Sequence, residues 1–248
     1  MLRQVRSARS RARAVWSHRL RFELEAAARF ERLSVSLEAH EAHPTVVRLC
    51  SQAGEDEHRH AELCARMVEH FGGRIGTTPE APDDPVAPRH LSPVDALLYE
   101  VVSMCVITET LSTALLGGLV ARATDDAVRT TLRAILRDEV MHSRIGWAHL
   151  AHCRQNGLGG AVGSWLPAML AGTVEDELFV DREATEIDEE VAGLGHLTRG
   201  ERLETFVATM RRVVFPGLRG LGIDAAPGER YLTGLVGPPS GQASASPG

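Results

Sequence analysis

Two segments of the chain carry the same pattern of acidic and histidine residues. Both read D-E-x-x-H, and they supply the pairs Glu57 with His60 and Glu139 with His142. On an α-helix, residues i and i+3 lie on one face, so the carboxylate and the imidazole of each pair can bind one metal ion together. Two such pairs that face each other can hold two ions.

Two further glutamates lie on the helical segments that precede these pairs. Glu23 and Glu109 each lie as far before a break in the helical pattern as the following ExxH pair lies after it. The breaks fall at residues 40–44 and 124–126, where a proline and two aspartates are typical of helix starts. In an antiparallel helical hairpin, residues equidistant from the turn lie at the same height. We therefore expect each glutamate to face the pair of its own hairpin.

Other acidic residues offer alternatives to these ligands. Glu31 would lie about two turns too near the first break to meet its ExxH pair. Glu25 stays open as an alternative to Glu23, because helix ends read from a sequence can shift by a few residues. Glu55 and His58 also form an ExxH pair, but this pair lacks the D-E start and points to another helix face.

The most apolar stretch of the chain, residues 96–120, is long enough to cross a membrane. It contains Glu100 and Glu109, however, and a carboxylate at the centre of a lipid bilayer is costly. In a water-soluble bundle, a buried carboxylate needs a charged partner or a metal ion. We therefore predict a buried bundle helix with Glu109 on a metal, and no membrane span.

Helical periodicity dominates the chain and predicts an all-α fold. The expected helices cover residues 11–38, 44–71, 93–123 and 124–155, with shorter ones at 165–170, 173–192 and 201–214. Residues 74–92 are rich in Pro and Asp and form a linker. Such a linker can reach roughly 60 Å, whereas a helix of about 28 residues spans roughly 42 Å. This permits a four-helix bundle with one long crossover, plus additional C-terminal helices.

The expected organisation has three parts. Residues 1–157 form the bundle with a basic N-terminal extension, 158–226 form a C-terminal helical extension packed on the bundle, and 227–248 form a disordered tail. Residues 231–235 in the tail loosely match a docking peptide, although a frayed terminus is the simpler interpretation. The Arg-rich start fits either a transit peptide or a basic helix start, and the second is favoured because Glu23 follows without a linker.

Composition excludes several classes of function. The formal net charge is -6 and all 27 basic residues are Arg, so the chain lacks a nucleic-acid-binding signature. The four cysteines occur singly, which excludes a zinc ribbon, a rubredoxin-type iron site and a thioredoxin motif. This cysteine usage is typical of a reducing compartment and predicts a cytoplasmic protein.

The six residues in this order and spacing resemble the ferritin-like di-iron carboxylate superfamily, which includes bacterioferritin, rubrerythrin and di-iron oxygenases. That superfamily places one Glu on each of two helices and Glu-x-x-His on each of the other two. The predicted metal ligands are accordingly Glu23, Glu57, His60, Glu109, Glu139 and His142. The resemblance implies that Glu57 and Glu139 bridge the two metals and that Glu23 and Glu109 are terminal ligands.

The aspartate that begins each D-E-x-x-H segment has two interpretations. Asp56 and Asp138 either accept the N–H of a ligand histidine across the bundle or are surface acids.

The resemblance also sets the expected function. It implies two Fe ions, with Mn or a mixed Fe/Mn pair as alternatives, and an oxidase or oxygenase that uses O2. Iron storage with ferroxidation, a peroxidase that uses peroxide, and a bundle with a structural metal site are the alternatives. An electron-donor protein and a second copy of the chain in a homodimer are the expected partners, together with O2 or peroxide.

Overall fold

The computed structural model describes residues 7–76, 85–155, 157, 159–174 and 189–236. These residues form α-helices joined by turns and loops, and no β-strand occurs among them. The all-α fold class predicted from the sequence is confirmed.

Four long helices form the bundle. They are α1 (Ala8–Ala39), α2 (Pro44–His70), α3 (Pro93–Arg122) and α4 (Asp126–Gln155). Their ends agree with the predicted helices to within about three residues, because local chemistry sets them. The Ser92 side chain accepts a hydrogen bond from the Asp95 amide, and Asp125 caps α4 by accepting from the amides of Ala127 and Val128. Gly72, with a φ of 79°, ends α2 in the left-handed conformation that glycine favours.

The four helices form two hairpins that lie side by side. α1 packs along α2, α3 packs along α4, and α2 also contacts α4 across the centre. The chain between His70 and Pro93 joins the hairpins and is the one long crossover. Residues 77–84 of this predicted linker lie outside the described residues.

Two apolar layers fill the bundle, one towards each end. The first layer contains Phe30, Leu33, Leu37, Val46, Cys50, Leu97, Val101 and Ile145. The second contains Ala12, Trp16, Cys64, Met67, Leu116, Leu119, Val128 and Leu132. On α1, Glu23 falls between Trp16 of one layer and Phe30 of the other, so the level of Glu23 lies between two apolar layers.

Helix α3 contains a π-helical segment that the sequence pattern did not predict. Val102–Thr108 forms this segment and ends immediately before Glu109. A π-helical turn inserts extra backbone into a helix, which rotates the residues that follow it relative to those before it, and such segments occur frequently at functional sites.

The apolar character of α3 comes from its place in the core. Pro93–Arg122 is long and apolar enough to cross a membrane, but half of its most apolar window is buried inside the fold. It also carries the buried carboxylate of Glu109. These features are those of a bundle core helix.

Further helices follow the four long ones. They are α5 (Val162–Thr173), α6 (Glu189–Ala192), α7 (residues 199–220) and α8 (Ala226–Val236). Helices α5, α7 and α8 share a core with α3 and α4, whereas α6 contacts α1. Leu166, Phe206 and Phe215 from these helices join a core with Val106 and Leu150 of the bundle. Most of the helix predicted at 173–192 lies outside the described residues.

The expectation of a disordered tail from residue 227 is wrong over its first ten residues. These residues form α8, in which Leu232 is buried and Tyr231 packs against the same core. Gly228 allows this packing, because a Cβ there would lie 3.0 Å from the Phe215 ring. Residues 231–235 therefore belong to a packed helix, and residues 237–248 lie outside the described part of the chain.

The basic N-terminal residues belong to the bundle from Ala8 onward. Ser7 caps α1, and Arg9 both donates to the carbonyl oxygen of His70 and lies over the ring of Phe71. This packing favours a basic helix start over a transit peptide. Residues 1–6 lie outside the described part of the chain.

Gly146 sets the distance between α4 and α3 beside the π-helical segment. A Cβ at Gly146 would lie 2.6 Å from Val106 Cγ2 and 2.9 Å from Cys105 Cβ, whereas a Cβ at Gly117 would meet nothing within 4 Å. Overpacking of this kind costs about 1–3 kcal/mol. We expect the free energy of unfolding of Gly146→Ala to lie below that of Gly117→Ala by about this amount in urea denaturation. Equal stabilities of the two variants would show that the helices do not approach this closely.

Candidate metal centre

Six acidic and histidine side chains meet at one level between the two apolar layers. All six are buried, and His60 and Glu57 are 0% and 1% exposed. The six are Glu23, Glu57, His60, Glu109, Glu139 and His142. Each of the four long helices supplies at least one of them.

The six side chains form two overlapping groups of four. Within each group, one ligand atom per residue lies within 4.8 Å of the others. The first group is Glu23, Glu57, His60 and Glu139. The second group is Glu57, Glu109, Glu139 and His142. Glu57 and Glu139 belong to both groups, which is the geometry of two carboxylates shared between two neighbouring cation positions.

The Nδ1 atoms of the two histidines point into this cluster. His60 Nδ1 lies 3.2 Å from Glu57 Oε2, and His142 Nδ1 lies 3.0 Å from Glu57 Oε1. Both Nδ1 atoms lie 3.7 Å from an oxygen of Glu139. The two imidazole centroids are 5.8 Å apart.

The outer nitrogens of the histidines contact aspartates on the opposite hairpin. His60 Nε2 lies 3.3 Å from Asp138 Oδ2, and His142 Nε2 lies 3.3 Å from Asp56 Oδ2. Arg59 donates to both aspartates, at 2.7 Å to Asp56 and 2.8 Å to Asp138. Of the two interpretations of these aspartates, the geometry favours hydrogen-bond acceptors for the histidines over surface acids. An aspartate that accepts from Nε2–H leaves the Nδ1 lone pair available to a metal ion.

Burial and mutual charge shift the pKa values within the cluster. Burial and the charges of Glu57 and Glu139 raise the pKa of Glu23 well above its usual value. Burial also acts to raise the pKa of Glu57, but the close contacts and charges of the two histidines outweigh it and lower this pKa to about 2. The pKa of His142 rises to about 11, since Glu139 and Glu57 outweigh the opposing effect of burial. Without metal, the cluster thus holds protons that bound cations would have to replace.

Two buried atoms of the cluster lack a hydrogen-bond partner. They are Glu139 Oε2 and His142 Nδ1, which approach other cluster atoms without hydrogen-bonding geometry. A buried polar atom that stays unpaired costs about 1–3 kcal/mol, and a coordinated cation would satisfy both. Four carboxylates balance the charge of two divalent ions, and carboxylate oxygen with imidazole nitrogen suits Fe(II) or Mn(II). The donor set therefore fits a pair of such ions.

The structure distinguishes Glu23 from the other glutamates considered as metal ligands on α1. Glu25 lies 3.6 Å from Arg21 in an ion pair on the outside of α1. Glu31 contacts His58 at 2.9 Å, and both side chains are more than half exposed. Of the acidic residues proposed on α1, the structure brings Glu23 to the cluster.

A cavity of about 470 Å³ reaches the cluster and was not predicted from the sequence. Its lining includes the cluster residues Glu23, Glu57, Glu109 and Glu139. The C-terminal extension contributes Ala168, Met169, Gly172, Thr173 and residues 195–197. These residues carry no local signal of a site, because only the packing of α5 and the 195–197 loop on the bundle brings them to it.

One cysteine also borders the cluster. Cys64, one turn beyond His60 on α2, lies with its Sγ 3.8 Å from Glu23 Oε1 and donates to it. Burial, followed by the charge of Glu23, raises the pKa of this thiol well above its usual value. The thiol therefore stays protonated and acts as a hydrogen-bond donor to Glu23.

Four long helices around a buried cluster of carboxylates and imidazoles define a ferritin-like bundle with a candidate two-metal centre. The fold is similar to that of a solved structure from Synechococcus, described as protein 19 with aldehyde deformylating oxidase activity. The TM-score is 0.58 and the sequence identity is 18%, with 92% of this chain and 99% of the other covered. No protein-family profile and no curated protein matches the chain. At this identity the similarity establishes the ferritin-like fold.

The two groups of ligands predict the effect of removing a shared carboxylate. Glu57→Gln replaces a negatively charged carboxylate that belongs to both groups with a neutral amide. Glu55→Gln makes the same change two residues away, at an exposed position. After anaerobic addition of Fe(II) and desalting, we expect two iron ions per chain in Glu55→Gln and less than one in Glu57→Gln. Equal iron contents in elemental analysis would contradict the shared role of Glu57.

The contacts across the hairpins predict a smaller effect for the aspartates. Asp138→Asn weakens the acceptor that holds His60 Nε2, and loss of such an outer contact typically lowers metal affinity by about 10–100-fold. Asp126→Asn on the same helix, with a side chain that is 93% exposed, serves as the control. Competition with a chelator measures both affinities. Unchanged affinity in Asp138→Asn would show that His60 is oriented by other contacts.

Proposed function

We propose that the protein binds two iron ions through Glu23, Glu57, His60, Glu109, Glu139 and His142 and uses O2 to oxidise a small molecule. The observation that carries this proposal is the cavity, which meets four of the six ligands and so leaves room for a substrate beside the metals. The donor set and the two unpartnered buried atoms support the metal pair. The fold similarity to a protein with aldehyde deformylating oxidase activity supports the reaction class.

The cavity favours an oxidase or oxygenase over iron storage. Its volume of about 470 Å³ lies in the range of pockets that hold small organic ligands. Part of its wall comes from α5 and from residues 195–197, which lie outside the four-helix bundle. A bundle that only oxidises and stores iron needs no such organic pocket.

The residues of the chain would have the following roles in this reaction. A bound ferrous pair supplies the electrons with which O2 is reduced. Glu57 and Glu139, which belong to both groups, would help to hold both ions, and the aspartates orient the histidines. The two apolar layers surround the buried cluster with hydrocarbon, which strengthens the charge interactions inside the site.

Reduction of the oxidised site requires an external source of electrons. All four cysteines are buried and free, and they are distributed singly on different turns of the bundle. We propose that an electron-donor protein supplies the electrons and that the protein works in the cytoplasm, where such thiols stay reduced. The homodimer expected from the sequence stays a prediction.

Exposure of the ferrous protein to O2 tests the proposed function. We expect O2 uptake together with an absorbance change in the near ultraviolet in the wild type and in Glu55→Gln, and neither in Glu57→Gln. The reason is that the reaction needs both ions held by the shared carboxylates. An absence of O2 uptake by the two-iron protein would identify a structural metal site. Continued oxidation of excess Fe(II) with retention of ferric iron would identify storage.

A further inference from the structure

The cavity extends along the bundle on both sides of the cluster. On α1 it is lined from Val15 to Arg29, a rise of roughly 20 Å, with Glu23 between them. On α3 it is lined from Tyr99 to Leu119. α1 and α3 run in opposite directions, as their shared apolar layers show. The cavity thus has two ends, separated by the level of the carboxylates.

One end is formed by the first half of α1 and the loop that precedes α7. Trp16 Nε1 donates to the carbonyl oxygen of Leu194 at 3.0 Å, which holds this loop over α1. Gly195 has a φ of 95°, a conformation that favours glycine. A Cβ at this position would lie 3.0 Å from the Trp16 ring, so the backbone of the loop lies close to this ring. We call this the Arg19 end, and it is lined by Val15, Arg19, Leu116, Leu119, Leu197 and Arg202.

Arg19 presents a positive charge to this mostly apolar end. Its guanidinium carbon lies 5.5 Å from the centre of the Trp16 ring, a stacking contact that restrains the side chain. Its Nε is buried without a hydrogen-bond partner. Among the described residues, no carboxylate lies within ion-pair distance of Arg19, and the acid one turn away is the cluster residue Glu23. A restrained guanidinium with an unpaired buried donor is ready to bind an anion.

We propose that Arg19 binds the carboxylate of an amphipathic monocarboxylic acid whose apolar body lies along the cavity beside the metal centre. The planar guanidinium matches a carboxylate with two parallel hydrogen bonds. The leucine walls match a hydrocarbon body. This inference names the substrate class for the proposed oxidation and rests on that function for the reaction, although the binding step can be tested by itself.

The charge of the site is compatible with a ligand that carries a single negative charge. Two divalent ions and four carboxylates sum to zero, so a monoanion meets no net repulsion when the metals are bound. Arg19 precedes Glu23 by one helical turn, a rise of about 6 Å. A chain of medium length held at Arg19 therefore passes the metal level.

Octanoate and its neutral analogue octanamide test this proposal by isothermal titration calorimetry. The full-length protein is titrated both in the metal-free form and in the ferrous form without O2, so that no turnover occurs. We expect octanoate to bind at least about tenfold more tightly than octanamide, because only the carboxylate pairs with Arg19. This preference should disappear in Arg19→Gln and persist in Arg21→Gln, which removes an exposed charge from the same helix.

Each outcome of the titration decides the proposal. Equal affinities for the two ligands, or no binding of either to the wild type, would overturn it without reference to any variant. Octanoate binding that requires iron and is unchanged in Arg19→Gln would place the carboxylate on the metals and also overturn it. Arg19→Lys keeps the charge and should retain part of the preference, which separates a loss of recognition from a loss of folding. Failure of the O2 reaction alone would leave the binding result intact and reject only the proposed oxidation.

Discussion

The rest of the structure depends on the burial of four carboxylates and two imidazoles at one level of a helical bundle. Isolated charges in such surroundings would cost several kcal/mol each unless they are paired or bound to a metal. The apolar layers on either side of this level bury the six side chains and so raise this cost. Six side chains in two overlapping groups of four are an arrangement in which bound cations would offset this cost.

The two hairpins are joined at the cluster by reciprocal contacts. Each helix of the central pair, α2 and α4, provides a histidine to the cluster and an aspartate to the histidine of the other helix. Arg59 links the two aspartates on the outside of the bundle. The orientation of the imidazoles is therefore a property of the packed bundle rather than of either hairpin, and any slip of one helix along the other would break both contacts together.

The C-terminal extension changes what a ferritin-like bundle can do. It packs on α3 and α4 through its own apolar core, and its residues also line the cavity beside the carboxylates. The loop over Trp16 brings a leucine wall to the same end as Arg19. The four-helix bundle supplies the six residues of the candidate metal centre, whereas the added helices contribute part of the wall of the cavity beside them. The space for the proposed substrate is thus a product of the added helices as well as of the bundle.

The sequence by itself determined the four bundle helices, their turns and five of the six cluster residues, and it narrowed the sixth to Glu23 or Glu25. Periodicity, caps and equal distances from a turn are local properties that the chain order preserves. The tertiary structure decided the choice between Glu23 and Glu25, since one turn of α1 presents both and only packing directs one inward. It also decided the π-helical segment before Glu109, the helix at 226–236 and the Arg19 end of the cavity. Each of these depends on contacts between residues far apart in the chain, and such contacts leave no periodic signal in the sequence.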